Sequence, residues 1–322
     1  MKIAYLAKAR PDLVARIPKE IESAMIESGP GGVYSAEALA QVADADALVV
    51  SMEPVNEQIL AACTRLKIVQ RLGVGYETLD LDAAARRKIP CCNIEGVNKE
   101  AVAEHALMLI LALTKHLLEA DRLTRSGRWA ESRMLTQRTC ELKGKTLGIV
   151  GLGNTGTALA RRGKAFGMHI VYNDIRPIPT RTIEELGARA LEKEELYRAA
   201  DLISINTDLN PATRHLIDAR ALALMRPHAL LVCCARGGIV DEAALRDALD
   251  GGRIAGAGID VFETEPILPD NPLLGAKNCI LTAHVAGVTD ETTQRIFDWA
   301  HENVRAVVLR GEKPRWVRNG VG

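Results

Sequence analysis

Three polar side chains that could act together in a reaction each stand just beyond an apolar, strand-like run: Arg236, Glu265 and His284. A guanidinium can clamp a carboxylate with two hydrogen bonds. An imidazole can transfer a proton near neutral pH, and a carboxylate can fix its tautomer and favour its charged form. Ligands of open α/β sheets bind beyond the carboxyl ends of the strands, so we expect these residues to meet at one site. Taken singly, each also has a structural explanation: a satisfied histidine, an arginine that binds loop carbonyls, and a turn glutamate.

A second set of residues could hold a dinucleotide. Residues 146–174 read TLGIVGLGNTGTALARRGKAFGMHIVYND, in which a strand-like run leads into Gly151, Gly153 and Gly156 and a helical pattern follows. The first glycine permits a tight turn, the second lets backbone N–H groups approach a pyrophosphate, and the third lets helix and strand pack closely. The helix N-terminus favours phosphates. Asp174 then stands where a carboxylate can accept the hydroxyls of the adenosine ribose.

The carboxylate of Asp174 also affects which dinucleotide is bound. It would repel a 2′-phosphate, so the sequence favours NAD(H) over NADP(H). Arg176 could pair with that phosphate and soften the preference, or it could lie in solvent, which is the alternative we adopt. Further candidate cofactor-binding residues are Asn154, Thr155, Thr207 and Cys234.

Composition and charge exclude several classes of protein. Lys and Arg balance Asp and Glu at 41 each in 322 residues, without a basic block, so nucleic acid is not an expected partner. The longest apolar run, residues 106–113, is far shorter than the ~20 residues that span a bilayer, so no membrane association is expected. Residues 2–7 are too short for a signal-peptide core. The seven cysteines lack CxxC or metal-ligand spacing, which predicts buried free thiols, no metal site and a cytoplasmic location.

The elements that must position these residues alternate between short apolar runs and helical patterns, which predicts a parallel α/β sheet. The predicted strands are residues 3–7, 47–50, 67–72, 89–92, 146–150, 169–172, 202–205, 229–233, 255–261 and 279–281. The predicted helices are residues 11–27, 56–62, 81–87, 99–126, 241–250 and 291–309, with an irregular bridge at 125–145.

The final helical run, residues 291–309, has no strand to return to in the second half of the sequence. We therefore expect it to pack on the first domain. The predicted architecture is a Rossmann-type dinucleotide-binding domain, residues 99–287, inserted into a smaller, discontinuous, flavodoxin-like α/β substrate domain, residues 1–98 and 288–322. A ligand is expected in the cleft between them.

Six segments resemble the D-isomer-specific 2-hydroxyacid dehydrogenase family in order and spacing, over about residues 45–320. They read RLGVGYETLDLDAA, NKEAVAEHALMLILAL, ELKGKTLGIVGLGNTG, LVCCARGGIVDEAAL, AGAGIDVFETEP and LTAHVAGVT. The resemblance implies that Arg236 binds the substrate carboxylate and carbonyl. It also implies that His284 is the acid/base and that Glu265 is its partner.

The same resemblance assigns residues that touch the cofactor and the substrate. Asp260 matches an acid that contacts the nicotinamide carboxamide. Val74 and Gly75 match a loop whose amides hold the substrate carboxylate, although an ordinary glycine turn is the alternative. The chain departs from the family pattern at Asp208, Cys233 and Ala283, where proline, asparagine and proline are usual, and none of these changes removes a reactive group.

The resemblance implies an NAD-dependent oxidoreductase that transfers hydride between NADH and the C2 carbonyl of a small 2-oxo acid. The alternatives are a formate or phosphite dehydrogenase of the same fold, or an NAD(H)-binding regulatory protein. Formate and phosphite need no protonation of an alkoxide, so the Glu265 and His284 pair favours the hydroxy acid. Regulatory relatives usually carry a partner-binding tail, whereas the sequence ends a few residues after Trp316.

The identity of the acid and the oligomeric state are less constrained by the sequence. Glu53, beyond a first-domain strand, would repel a phosphorylated tail, which leaves glyoxylate, hydroxypyruvate and small aliphatic 2-oxo acids open. Residues 99–118 carry apolar side chains nearly all round the helix axis. Packing on its own sheet explains part of this pattern. The resemblance adds a two-fold homodimer with an interface centred on this helix.

Overall fold

The computed structural model describes residues 1–9 and 14–321. The strands are β1 (Lys2–Leu6), β2 (Glu22–Ile26), β3 (Ala47–Val50), β4 (Ile68–Arg71), β5 (Cys91–Cys92), β6 (Thr146–Val150), β7 (His169–Asn173), β8 (Arg189–Ala190), β9 (Leu202–Ile205), β10 (Leu230–Cys233), β11 (Gly256–Ile259) and β12 (Cys279–Leu281). The helices are α1 (Ala36–Val42), α2 (Glu57–Ala62), α3 (Leu81–Arg86), α4 (Lys99–Thr114), α5 (Leu117–Arg125), α6 (Trp129–Met134), α7 (Asn154–Ala165), α8 (Thr180–Leu186), α9 (Lys193–Ala199), α10 (Ala219–Leu224), α11 (Glu242–Asp250) and α12 (Asp290–Arg310).

The chain divides into two units, residues 1–97 with 289–322 and residues 98–288, each boundary within one residue of the expected one. In the described part of the first unit, a parallel sheet has the strand order β2-β1-β3-β4-β5, which is the flavodoxin-like order. Helix α12 belongs to this unit, and its Val304 is buried with Ile3 and Tyr5 of β1. In the structure, the last helix therefore packs on the sheet of the first unit.

The second unit contains a parallel sheet ordered β12-β11-β10-β9-β6-β7-β8. Counted from β6, this is the Rossmann order 3-2-1-4-5-6 with one strand added at the edge. The order reverses between β6 and β9, so loops after these two strands diverge and leave a crevice where dinucleotides bind in such sheets. The predicted Rossmann-type domain is confirmed.

Three expected elements differ from the structure. Residues 22–26, predicted as part of a helix over 11–27, form β2, an edge strand paired with β1, while residues 10–13 lie outside the described part. The helix predicted over 99–126 breaks at His116, whose φ of 51° is left-handed, and α4 and α5 meet at 58°. The irregular bridge at 125–145 contains α6.

Two expectations from the sequence, on membrane helices and on thiols, concern the described residues. There, no single helix is long and apolar enough to cross a membrane, and α4 with α5 meets that criterion only as a bent pair. The seven cysteines are free. Burial raises the pKa of Cys91 and Cys92 to about 12 and that of Cys233 to about 11, so these side chains stay protonated near neutral pH. The thiols are free as predicted, but only Cys91, Cys92 and Cys233 are fully buried and the other four are half-buried. The cytoplasmic location stays a prediction.

Candidate active site

Three neighbouring strands of the second unit carry the polar residues with which the sequence analysis began. Strand β11 pairs in parallel with β10 on one side and β12 on the other. Arg236 follows β10, Glu265 follows β11 and His284 follows β12. Parallel strands end at the same edge of a sheet, so the three loops emerge together.

The imidazole of His284 is paired with the carboxylate of Glu265. His284 Nδ1 lies 2.7 Å from Glu265 Oε2. An ionised carboxylate only accepts hydrogen bonds, so Nδ1 carries the proton and donates it to this contact. The other ring nitrogen, Nε2, is then the one that can exchange a proton with another molecule. The predicted partnership of these two residues is present in the structure, and each side chain is partly exposed.

The carboxylate of Glu265 is held from both sides. Its Oε1 accepts a hydrogen bond of 2.9 Å from the N–H of Phe262, in its own turn, while Oε2 faces His284. The backbone of His284 is also fixed, because its N–H donates to the carbonyl of Asp260 at 2.7 Å. Its φ of 54° is left-handed, a conformation that surrounding contacts must maintain in a residue other than glycine. Orientation of the pair is therefore built into both loops.

The Arg236 loop packs directly on the Glu265 loop through Gly237. A Cβ at position 237 would lie 1.7 Å from the carbonyl oxygen of Phe262, far inside van der Waals contact. Only glycine allows this approach. Arg236 Nη1 donates to the carbonyl of Ala235 at 2.8 Å, so the loop-carbonyl explanation holds for one of its groups. The approach of the two loops brings the guanidinium-bearing segment beside the His284 pair.

Asp260 organises the loop that carries His284. Its side chain is fully buried, and its oxygens accept hydrogen bonds from the N–H groups of Val285 (3.0 Å) and Ala286 (2.9 Å) and from the Thr282 hydroxyl (2.5 Å). A buried carboxylate with three donors is a strong local anchor. Its expected contact with a nicotinamide carboxamide stays a prediction.

His105 is a residue of this network that the sequence analysis missed. Its Nε2 lies 3.0 Å from Thr282 Oγ1 and 3.7 Å from Asp260 Oδ1. It is half-buried on α4, a helix whose buried residues are almost all apolar. A lone histidine among apolar helix residues could have marked it as a candidate. Its partner Thr282, however, is about 180 residues away in sequence, and no motif spacing predicts that contact.

The glycine motif has the geometry that a bound dinucleotide requires. Gly151 has a φ of 91°, and a Cβ there would lie 2.7 Å from the carbonyl oxygen of Asn206 and 3.2 Å from the nitrogen of Thr207. A Cβ on Gly156 would lie 2.1 Å from Gly151 O, so the helix can pack this close only with glycine. Gly153 is the N-cap of α7 and offers no capping side chain, which leaves the first-turn N–H groups for phosphate oxygens. The residues fit the cofactor.

The remaining predicted cofactor residues lie around this motif. Asn154 and Thr155 form the first turn of α7, Thr207 follows β9 beside Gly151, and Cys234 follows β10. All of them are therefore at the carboxyl edge of the sheet. Their contacts with a nucleotide stay predictions.

Asp174 contacts both the glycine loop and Arg176. Its Oδ2 accepts the N–H of Leu152 at 2.8 Å, and its Oδ1 accepts the N–H of Arg176 at 2.8 Å. The Arg176 guanidinium also approaches, with Nε 3.6 Å from Oδ1, although 68% of that side chain is exposed against 3% for Asp174. The expectation that Arg176 lies in solvent thus holds for most of its surface, while its charge still sits beside the carboxylate.

Val74 and Gly75 belong to the first unit and are described there. They follow β4 and are half-buried, and the carbonyl of Val74 accepts a hydrogen bond of 2.6 Å from Asn93 Nδ2. Their predicted role toward a substrate carboxylate stays a prediction. Among the residues that the structure describes, no group of three or more His, Cys, Asp or Glu side chains is arranged to hold a metal ion.

The chain is similar to known proteins of one family of dehydrogenases. Residues 107–286 match the family described as D-isomer specific 2-hydroxyacid dehydrogenase, NAD binding domain. The chain is 40% identical over 277 residues to a glyoxylate reductase of Korarchaeum cryptofilum, which covers 85% of this chain and 82% of that protein. It is also 40% identical over 306 residues to a D-3-phosphoglycerate dehydrogenase of Mycobacterium tuberculosis, covering 95% of this chain and 56% of that protein.

A solved structure extends the likeness over nearly the whole chain. The NADPH-dependent glyoxylate/hydroxypyruvate reductase of Sinorhizobium meliloti, in complex with citrate, superimposes with a TM-score of 0.83 at 31% identity. The superposition covers 98% of this chain and 97% of that one.

Proposed function

Because the chain belongs to the D-isomer-specific 2-hydroxyacid dehydrogenase family, we propose that Arg236, Glu265 and His284 are its catalytic residues. The protein is an NAD(P)-binding oxidoreductase that acts on small 2-oxo or 2-hydroxy acids. The observation that carries the assignment of residues is the contact of 2.7 Å between His284 Nδ1 and Glu265 Oε2, in a site where the Glu265 loop packs on the Arg236 loop.

The roles follow from the chemistry of each group. A bound nicotinamide supplies the hydride that converts the C2 carbonyl of a 2-oxo acid into an alcohol. His284, protonated and oriented by Glu265, gives its Nε2 proton to the oxygen on which negative charge develops. Arg236 clamps the substrate carboxylate and orients the carbonyl, which supplies proximity and charge stabilisation. In the oxidative direction neutral His284 removes the hydroxyl proton.

For the substrate we propose a small, unphosphorylated 2-oxo acid. In the first unit the Glu53 carboxylate accepts hydrogen bonds from the Ser28 hydroxyl and, at 3.0 Å, from the Ser28 N–H. The negative charge is therefore fixed just beyond β3, where the sequence analysis expects the substrate's tail. A phosphate on that tail would be repelled. Glyoxylate and hydroxypyruvate, named in the relatives' activities, both fit this description.

The test is oxidation of NADH, followed by its loss of absorbance, over a panel of 2-oxo acids. We expect turnover with glyoxylate or hydroxypyruvate and much weaker turnover with phosphohydroxypyruvate. The panel is repeated with NADPH, and in reverse with D- and L-2-hydroxy acids. A protein that transfers hydride to no 2-oxo acid with either nucleotide would contradict the proposed function, and preference for the phosphorylated acid would contradict the substrate class.

We further propose NADH as the preferred nucleotide. At an effective dielectric constant of about 20, two unit charges ~4 Å apart repel by about 4 kcal/mol. Arg176 and solvent reduce this penalty, so we expect the ratio of kcat/KM for NADH over NADPH to be about 10- to 1000-fold, at about 1.4 kcal/mol per tenfold. Asp174→Ala should weaken NADH binding and narrow the ratio, because it removes both the hydroxyl acceptor and the repulsion.

Arg176→Ala is the matched variant for this cofactor prediction. It removes the guanidinium whose Nε lies 3.6 Å from Asp174 Oδ1, and it leaves the carboxylate in place. The preference for NADH should therefore widen. Equal use of the two nucleotides by the unaltered protein, lost in Arg176→Ala, would mean that Arg176 rather than Asp174 decides specificity.

We also propose a homodimer whose interface is centred on residues 99–118 and extends to α6. Although most of α4 is buried, large apolar side chains remain exposed along this stretch: Met108, Leu117, Leu118, Trp129 and Met134. One of them, Leu118, also lines a cavity of about 430 Å³ together with Leu113. Exposed apolar surface of this kind marks association sites. Sedimentation should give twice the chain mass of 34.9 kDa, reduced to the monomer by Leu118→Glu, and a monomeric unaltered protein at micromolar concentration would refute the proposal.

A further inference from the structure

A second histidine–glutamate pair lies on the turn that carries Glu265. His215 Nε2 is 2.8 Å from Glu263 Oε1. Glu263 and Glu265 stand two residues apart, so one turn presents one carboxylate to His284 and another to His215. The proposed reaction has no use for this second pair, and the sequence analysis assigned nothing to it.

The backbone of His215 is in a conformation that histidine rarely adopts. Its φ of 50° is left-handed, whereas glycine would adopt this angle without strain. The N–H of His215 donates to the carbonyl of Gly238 at 2.8 Å. A strained conformation persists only where surrounding contacts maintain it, and such residues concentrate at functional sites.

The segment of His215 is bound to the loop of Arg236. Beyond the bond from His215 to Gly238, the N–H of Ile217 donates to the carbonyl of Ile239 at 3.1 Å, and the N–H of Asp241 donates to the carbonyl of Ile217 at 3.0 Å. Residues 215–217 thus run alongside residues 238–241, just after Arg236. Displacement of one segment displaces the other.

The side chain of His215 reaches from that loop to the turn of Glu265. Glu263 is itself held on its other side, since its N–H donates to Glu242 Oε1 at 2.8 Å, and Glu242 Oε2 accepts a hydrogen bond from Asn271 Nδ2 at 2.6 Å. One imidazole therefore connects the Arg236 loop to a turn that is otherwise anchored to α11. Together with the packing of Gly237, it fixes the spacing of the two loops.

We propose that His215 is a positioning residue for the reduction of the 2-oxo acid. Through Glu263 it holds the turn of residues 262–265, and with it the carboxylate that orients His284, at a fixed distance from Arg236. This inference rests on the proposed function, and it assigns no contact of His215 with substrate or cofactor. A pair with only a structural role would affect the stability of the protein and leave its chemistry unchanged.

Three substitutions separate positioning from stability. His215→Gly keeps the left-handed backbone and removes the imidazole, Glu263→Ala removes the acceptor, and Glu263→Gln keeps an acceptor oxygen. We expect kcat for the 2-oxo acid to fall ~10-fold in the first two and to be largely restored in Glu263→Gln, because small misplacements of reacting groups are costly. The KM for NADH should stay within about two-fold, since the nucleotide motif is untouched. The double variant should be no slower than either single variant.

A histidine–carboxylate pair of the same length supplies the control. His228 Nε2 lies 2.8 Å from Asp201 Oδ1, just before β10 and β9 and therefore at the opposite edge of the same sheet. His228→Ala should leave kcat unchanged whatever it does to the melting temperature. An equal loss of kcat in this variant would mean that any broken pair slows the enzyme, and it would overturn the proposal.

Amide hydrogen exchange gives a second measurement that does not depend on activity. The N–H groups of Phe262 and Glu263 both donate to carboxylates, and their exchange should accelerate in His215→Gly. Faster exchange with unchanged kcat would make the pair a purely structural contact and overturn the proposal, as would no change in either quantity. An unaltered protein that reduces no 2-oxo acid would instead overturn the proposed function, while the exchange still reports whether His215 holds the turn.

Discussion

Replacing His284 with alanine should lower the turnover of 2-oxo acid reduction by ~10²–10⁴, the range for losing a positioned general acid. The imidazole is held at Nδ1 by Glu265, so Nε2 is the proton donor that is lost. NADH binding, measured by fluorescence titration, should change little because the glycine motif and Asp174 are elsewhere in the unit. Steady-state kinetics with saturating NADH measure the effect on kcat.

Two substitutions of Glu265 test whether proton donation by His284 depends on its charged partner. Glu265→Gln can still accept a hydrogen bond from Nδ1 but lacks the negative charge that stabilises an imidazolium, whereas Glu265→Ala loses both. Turnover should therefore be lower in Glu265→Gln than in the unaltered protein, and lowest in Glu265→Ala. His169 is an exposed histidine at the start of β7, and the control variant His169→Ala should have the same turnover as the unaltered protein. Near-normal turnover of His284→Ala would remove this residue from its assigned role.

Substituting Gly237 with alanine should lower kcat/KM by about 10²-fold, because a displacement of ~1 Å of reacting groups costs that much. The new Cβ would lie 1.7 Å from the carbonyl oxygen of Phe262 and 2.8 Å from the nitrogen of Glu263. Both are backbone atoms, so the Arg236 and Glu265 loops must separate. The expected signature is a loss of kcat/KM for the 2-oxo acid together with a lower melting temperature.

Gly252→Ala is the control for backbone strain. Gly252 has a φ of 65° and no heavy atom within 4 Å of an added Cβ, so alanine there strains the backbone without a clash. It should reduce stability modestly and leave kcat/KM unchanged. Unchanged kinetics in Gly237→Ala would show that the two loops can move apart without consequence, and that the spacing of Arg236 and Glu265 does not matter.

The sheets were the part of the fold that the sequence predicted best. Strands β3, β6 and β9 have the predicted bounds because strands buried on both faces of a parallel sheet are short, largely apolar runs. Strand β2 was missed because it is an edge strand, half-exposed, whose few apolar residues also fit a helical period. The break at His116 was missed because the apolar pattern continues across it. Local pattern does not reveal a bend that tertiary contacts impose.

The sequence predicted those features of the candidate site that depend only on which strands are neighbours. Arg236, Glu265 and His284 follow neighbouring strands, so the adjacency of their three loops follows from the sheet. The approach of Gly237 to Phe262 and the contacts of His105 and His215 could not be foreseen. They depend on how loops distant in sequence pack against each other, and no spacing within one segment encodes that.

Helix α12 gives the chain an order of assembly during synthesis. The face of the first sheet that contains Ile3, Tyr5 and Val49 is covered by Val304 and its neighbours on α12. Between the two parts of this unit lie the 191 residues from Asn98 to Val288, whose translation takes roughly 10–40 s at about 5–20 residues per second. During that interval the nascent N-terminal sheet has one apolar face uncovered, while the nucleotide-binding unit completes its own core. The insert is thus synthesised before the helix that covers this face of its host unit, so the core around Ile3, Tyr5 and Val49 is the last to be completed.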